Sequence, residues 1–352
     1  MLPSADEMPD IRLILSGVGG VAKHLTRLLQ SRAGIRVVSA LTRNPEYDGK
    51  DLGLHAGTGP LGVAITTDRQ RAFEPPADVL LVATTSFLRA VAGDIRAGIE
   101  RGLNVITTAE EAAYPGSTDE ALSAELDAAA RMRSVSILGA GLNPGFIFDA
   151  LFLTASGISW DVHKISFRRA VDVSGFSAAV QRRLGLGYSR EAFEAGVANG
   201  TVRGHIGFPQ TFHLAARCLH YELTRIEKRF EPHLAGRSIP GEQLTIQPDQ
   251  TAGFVQRVTG YAGATAWIEA EFIAHAELPA IGLEAEDRID IEGSNPVHLR
   301  LQPGCNPQLG TAGMLASCIP RVVGAAPGFL TVADLSLPHA RPGTASSQGV
   351  RR

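Results

Sequence analysis

Apolar residues follow two rhythms along this chain, and the rhythm changes near residue 160. In the first part, short and nearly continuous apolar runs alternate with segments whose apolar positions recur every three to four residues. The runs are "IRLILSG", "IRVVSALTR", "ADVLLVATTS", "LNVITTAEE" and "VSILGAGLNPG". Strands buried on both faces read this way. "VAKHLTRLLQS", "FLRAVAGDIRAGIERG" and "TDEALSAELDAAARMRS" carry the helical period, and Gly102 stands where a helix-ending left-handed glycine belongs. Strand–helix alternation predicts a parallel sheet with crossover helices, hence an α/β, doubly wound Rossmann domain over residues 1–145.

Beyond that point "DVHKISFRRAVD", "GFVQRVTGYAG", "TAWIEAEFIAHA" and "DRIDIEGS" alternate apolar and polar residues. This predicts a mostly antiparallel sheet with one solvated face, and an α+β domain over 146–307. "SREAFEAGVANG" and "PQTFHLAARCLHYEL" are its expected helices. "QLGTAGMLASCIPRVVGAAPG" turns helical again, so 308–340 is expected to pack back on the first domain. "RPGTASSQGVRR", at 341–352, has the composition of a disordered tail.

Composition narrows the class without naming a function. The chain has 352 residues, 44% apolar and 20% charged, as soluble two-domain enzymes do. A net charge of −3 gives no reason to expect a nucleic-acid or membrane partner. No apolar run reaches the roughly 18 to 20 residues that span a bilayer. "MLPSADEMPD" is too polar for a secretory signal. Cys218, Cys305 and Cys318 form no CxxC pair and suit reduced, buried thiols in a cytoplasmic protein. His213 and His220 have no third ligand nearby, so no metal is expected.

The first strand runs into "GVGGVA", which places Gly17, Gly19 and Ala22 as G-x-G-x-x-A, with Gly20 and Val21 opening the helix. In this context the pattern fits a dinucleotide. One glycine allows the tight turn, the next lets backbone approach a pyrophosphate, and a small third residue lets helix and strand pack closely. The alternative is a turn that is glycine-rich for steric reasons only. The second strand ends in Thr42, Arg43 and Asn44, without the carboxylate that usually binds a ribose 2′-hydroxyl. Arg43 suits a 2′-phosphate, so NADP is favoured and NAD stays possible; a plain solvated arginine is the alternative. Thr84, Thr85 and Ser86 close the third strand, either as cofactor contacts or as caps of the next helix.

Chemistry in such folds lies beyond the C-terminal ends of the strands. There "NVITTAEEAAYP" presents Glu110 and Glu111, either a general base or a pair of first-turn carboxylates. Asn143 and Pro144, with Phe146 close behind, leave the fifth strand, where Asn143 suits a nicotinamide amide or a substrate; Asn-Pro-Gly is equally a good turn. In the second domain His205 and Phe208 sit in a glycine-rich loop before a helix, as substrate contacts or structural residues. Lys164, Arg168 and Arg169 read as solvated strand residues, with a carboxylate partner for one of them as the alternative. No G-x-S-x-G elbow or Walker loop is present, which removes the hydrolase and phosphotransferase readings.

"NPEYDGKDLG", "ATTSFLRAV", "NVITTAEEAAYP", "GLNPGFIFD", "GTVRGHIGFPQTFHL" and "PGFLTVADLSLP" together resemble the family of 2,4-diaminopentanoate dehydrogenase and the related native amine dehydrogenases, in order from about residue 11 to 340. The resemblance implies a Rossmann domain, a dihydrodipicolinate-reductase-like second domain that also serves dimerisation, and a homodimer. It implies reversible oxidative deamination of an amine to a ketone and ammonia with NAD(P), its catalytic glutamate being Glu110, or alternatively Glu111. It also puts Phe176, in "AVDVSGFSAAVQRRLGLG", at the substrate pocket. Whether that pocket takes a diamino acid or a simple aliphatic amine stays open. A dihydrodipicolinate-type imine reductase is the alternative enzyme, although its HHxxxKxDxPSGTA-like motif is absent. A non-catalytic NADP-binding sensor is the alternative from another class.

Overall fold

The computed structural model describes residues 10–339, so the tail expected at 341–352 lies outside the described part. The chain divides into two compact units. One comprises residues up to Ala150 and from Asn306 onward; the other is Leu151–Cys305. These cuts differ by a few residues from 145/146 and 307/308. The first falls in a π-helical turn, Phe146–Leu151, and the second at a helix start, where composition does not change.

The chain opens with β1 (Ile11–Ser16), α1 (Gly20–Leu29), β2 (Ile35–Leu41), α2 (Leu52–Ala56), β3 (Ile65–Thr66) and α3 (Arg69–Ala72). β4 (Val79–Val82), α4 (Leu88–Glu100), β5 (Asn104–Thr107), α5 (Glu120–Met132) and β6 (Ser136–Gly139) follow. The second unit runs through α6 (Phe152–Ser156), β7 (Lys164–Asp172), α7 (Ala178–Arg183), α8 (Arg190–Asn199) and α9 (Phe208–Leu219). It continues with β8 (Arg225–Leu234), β9 (Thr251–Ala262), β10 (Thr265–His275), β11 (Glu286–Glu292) and β12 (Val297–Leu301). α10 (Pro307–Val323) and β13 (Gly328–Leu330) then rejoin the first unit.

In the first unit the described strands form a seven-stranded sheet, β13-β6-β5-β4-β1-β2-β3, parallel at every pairing. Five of these strands are legible as apolar runs. β3 and β13 are only two and three residues long, too short for a period to show. All four residues of β4 are buried, as a central strand covered on both faces requires. α4 lays Leu88, Val91, Ile95 and Ile99 on the core, and Gly102 follows its end at φ +70°. α10 packs on α1 so closely that a Cβ on Gly20 would lie 2.3 Å from the Gln308 carboxamide. The strand order reverses between β1 and β4, so a crevice for ligands opens beyond their C-terminal ends.

The second unit holds a six-stranded sheet, β12-β11-β7-β10-β9-β8, antiparallel except where β7 pairs with β10. β8 is so charged that alternation is hidden, as suits an edge strand. The apolar face carries Phe254 and Ala274 in one core with Leu184, Leu186, Phe193 and Val202. Ion pairs cover the opposite face: Lys164 with Glu269, Arg168 with Glu271, and Arg257 with Glu231 and Glu271. Arg169 departs from expectation. It is buried and paired with Asp287 at 2.5 Å, and it donates to the Cys305 carbonyl at 2.8 Å. Strand alternation turns it to the side opposite Arg168, where an ion pair meets the cost of burying its charge. The cysteines are free, but only Cys318 is fully buried; Cys218 and Cys305 are half-buried. Burial pushes the Cys318 thiol up to about 12.

Candidate active site

The glycine turn is built by close contact. Gly17 has φ +102°, and a Cβ there would lie 2.5 Å from the Ala83 carbonyl oxygen. No other residue fits this position. At Gly19, the N-cap of α1, a Cβ would meet nothing within 4 Å and no side chain caps the helix. The first-turn N–H groups, Gly20, Val21 and Ala22, have no intrahelical acceptor and sit at the positive end of the helix dipole. Ala22 is buried, as the close helix–strand approach demands. The turn is braced from outside: His55 Nε2 meets the Val18 carbonyl at 2.9 Å, so that nitrogen carries the proton, and the Tyr47 ring packs on the imidazole at 4.4 Å.

A cavity of about 380 Å³ adjoins this turn and is lined by Gly17, Thr42, Arg43 and Thr84, four of the expected cofactor residues, with Arg69 and Asp94 added. Arg43 is exposed, and no ion pair engages it among the described residues. Arg69 is tethered, to Asp94 at 2.9 Å and to the Gly93 carbonyl at 2.8 Å. Ser16 Oγ donates to the same Asp94 at 3.2 Å. Asn44 spends its side-chain oxygen locally, accepting from the Glu46 N–H at 3.0 Å to cap a short helical turn. Arg69 and Asp94 escape sequence reasoning because each reads as one more charged residue on a helix.

The paired glutamates part company. β5 ends where Thr107 Oγ accepts the Ala109 N–H at 3.1 Å, and the chain then makes a 3₁₀ turn, Glu110–Ala113. A Cβ on Gly139 would lie 2.2 Å from the Ala112 carbonyl, so the end of β6 supports this turn directly. Glu111 Oε2 accepts the Leu88 N–H at 2.8 Å and so caps α4, whose N-cap residue Phe87 supplies no capping hydrogen bond. Glu110 is half-buried and receives the Ser86 hydroxyl at 2.7 Å instead. Ser86 therefore does not cap α4.

Asn143 follows β6. Its Oδ1 and Nδ2 are both buried without a hydrogen-bond partner among the described residues. An unmet buried amide costs about 1–3 kcal/mol, and a ligand carboxamide is a chemically matched partner for it. Thr311 Oγ holds the loop by accepting the Leu142 N–H at 3.1 Å. Pro144 is buried, and Phe146, half-buried, opens the π-helical turn. Open space at Gly19, a forced glycine at Gly17 and an unmet amide at Asn143 together fit a bound nicotinamide dinucleotide.

The remaining candidates belong to the second unit. Gln256, buried in β9, grips the backbone of His205, accepting its N–H at 2.7 Å and donating to its carbonyl at 2.9 Å. A Cβ on Gly204 would collide with the Gln256 carbonyl oxygen at 2.1 Å, which explains the glycine before His205. The His205 ring meets Phe208 edge-on at 4.5 Å and lies 6.1 Å from Phe272. Phe208 itself is fully buried, so it supports His205 from the core. Phe176 is half-buried against the core that holds Leu184, Phe193 and Phe254, in a turn that Gln181 pins through three backbone carbonyls. A polar residue at an inward strand position was the available signal for Gln256. His213 is half-buried on α9 and its pKa is lowered by desolvation; His220 ends that helix at φ +58°.

Comparison with known proteins agrees with this architecture. Residues 146–350 match the model of the 2,4-diaminopentanoate dehydrogenase C-terminal domain, and residues 11–110 that of the dihydrodipicolinate reductase N-terminus. The 2,4-diaminopentanoate dehydrogenase of Acetoanaerobium sticklandii is 30% identical over 342 residues, 95% of each chain. The structure of an amine dehydrogenase from Mycobacterium smegmatis superposes with a TM-score of 0.83 at 26% identity, covering 95% of this chain and 98% of that one. Likeness to the 4-hydroxy-tetrahydrodipicolinate reductase of Methylocella silvestris, 35% identical, is confined to 88 residues, 22% of this chain and 32% of that one. From its first strand through its second unit, the chain belongs to the 2,4-diaminopentanoate dehydrogenase family of oxidoreductases.

Proposed function

We propose that this enzyme is an NADP-preferring amine dehydrogenase in which Glu110 is the acting carboxylate. The observation that carries the assignment is the divergence of the two glutamates: Glu111 is committed to the N-terminus of α4, and Glu110 is the carboxylate held at the strand ends. When bound, the nicotinamide takes or gives the hydride at the amine-bearing carbon. Glu110 handles the protons. In deamination it accepts a proton from the water that adds to the iminium; in amination it accepts one from ammonium, releasing the nucleophile. Its negative charge also stabilises the iminium cation in both directions.

Gly17, Gly19, Gly20, Val21 and Ala22 would hold the pyrophosphate, with Thr84 and Thr85 beside it. Asn143 would bind the nicotinamide amide, and Thr42 and Arg43 the adenosine ribose with its 2′-phosphate. Pro144, Phe146, Phe176 and His205 are the proposed substrate contacts, with Phe208 supporting His205. The substrate is a 2,4-diaminopentanoate-like or simple aliphatic amine. We also propose a cytoplasmic homodimer that pairs through the charged face of the second sheet, since alternating arginines and glutamates can complement a second copy.

The test is NADPH oxidation with excess ammonium and a ketone panel, from 2-amino-4-oxopentanoate to simple aliphatic ketones. Turnover with a member of the panel, lost in Glu110→Gln while NADPH still binds, is the expected result. NADPH binding without turnover of any ketone would favour a sensor and sink the amine-dehydrogenase reading.

A further inference from the structure

We propose that Ser86 is a positioning residue for Glu110 and not a cofactor contact. The turn between β4 and α4 grips the carboxylate loop at three points. The Glu111 N–H donates to the Ser86 carbonyl at 3.2 Å, the Leu88 N–H donates to the Glu111 carboxylate at 2.8 Å, and Ser86 Oγ donates to Glu110 Oε1 at 2.7 Å. The first two bonds tie the loop to the turn and commit the Glu111 carboxylate to the start of α4. The third holds Glu110 itself, at the C-terminal end of a strand beside the sheet's reversal point.

A hydroxyl has one proton to donate. With that proton on the Glu110 carboxylate, Ser86 has none for a phosphate oxygen, which only accepts. The same proton cannot serve both partners, and the acceptor it meets is Glu110 Oε1, at 2.7 Å. Ser86 therefore acts through Glu110: its hydrogen bond holds the carboxylate in one orientation at the turn.

The inference rests on Glu110 being the acting carboxylate, and the experiment separates the two ideas. Steady-state kcat and KM for NADPH are measured at saturating ammonium and ketone for Ser86→Ala, Ser86→Thr, Glu110→Gln and the double variant Ser86→Ala/Glu110→Gln. A positioning role predicts a kcat about tenfold lower in Ser86→Ala with KM for NADPH within about twofold, and recovery of most of the loss in Ser86→Thr. In the Glu110→Gln background, Ser86→Ala then adds no further loss. A raised KM for NADPH with kcat retained would make Ser86 a cofactor contact and overturn the inference. So would an unchanged Ser86→Ala enzyme beside an inactive Glu110→Gln. Full activity in Glu110→Gln would instead overturn the assignment of Glu110. Should Ser86→Ala fold poorly, the near-isosteric Ser86→Cys, a much weaker donor, gives the same readout.

Discussion

Replacing Glu111 by alanine separates its structural role from that of Glu110. α4 is 13 residues long, and its N-cap residue, Phe87, has no side chain able to accept a hydrogen bond. The Glu111 carboxylate supplies that acceptor from 23 residues away, 2.8 Å from the Leu88 N–H. A hydrogen bond to a charged group contributes about 1.5–3 kcal/mol, and a carboxylate at a helix N-terminus about 0.3–1 kcal/mol at an exposed site. Because Glu111 is half-buried and solvent screens part of this, about 2 kcal/mol is the expected loss in Glu111→Ala. For a unit of this size that lowers Tm by about 4–8 °C. Glu111→Gln keeps a neutral acceptor and should recover about half of the loss. The assay pairs thermal unfolding, followed by circular dichroism, with steady-state turnover. Glu111→Gln should keep kcat within about threefold, whereas Glu110→Gln should lose at least about 100-fold, the contribution of a general base. A Glu111→Gln enzyme that melts like wild type yet has lost its turnover would refute the division of roles and make Glu111 the acting carboxylate.

Three further outcomes follow from contacts elsewhere. Arg43→Gln should raise KM for NADPH by about 10–100-fold and leave KM for NADH nearly unchanged, because only the former carries a 2′-phosphate; equal effects on both cofactors would remove Arg43 from that role. Gln256→Ala frees the His205 backbone, and should raise KM for the ketone while KM for NADPH holds; a rise in the NADPH value alone would place the defect elsewhere. Asp78 has its pKa lowered, first by the Arg12 side-chain hydrogen bond, so its contribution to stability is present above the ordinary carboxylate pKa and is lost as pH falls through the lowered value. Asp78→Asn should therefore lower the urea midpoint at pH 7, with the gap to wild type closing below about pH 4; a gap that persists in acid would show that the charge is not its source.

The architecture was legible because its signals are local. An apolar run of five residues or an amphipathic stretch of thirteen carries its own period, and a G-x-G-x-x-A turn between strand and helix carries its own steric reason. The order of such elements already implied a parallel sheet, and a charged alternation beyond residue 160 implied a second sheet with one polar face. The same alternation misled at Arg169, whose partner Asp287 lies 118 residues further on. β3 and β13 escaped because two or three residues cannot show a period, and β8 because charge at an edge strand masks it.

By itself the sequence determined the longer strands and helices of both units, that its first turn suited a dinucleotide, that no carboxylate stood at the second strand's end, and that its motifs resembled one family. Each of these depends on residues that are neighbours along the chain. Only the tertiary structure gave Glu110 and Glu111 different partners. Both are glutamates in one short turn, and nothing local distinguishes them. What differs is the partner each meets on the β4–α4 turn: a backbone N–H that commits Glu111 to a helix end, and a serine hydroxyl that holds Glu110. The same holds for Arg69 beside Arg43 and for Gln256 behind His205. Long-range hydrogen bonds depend on packing that brings distant segments together, and periodicity does not encode them.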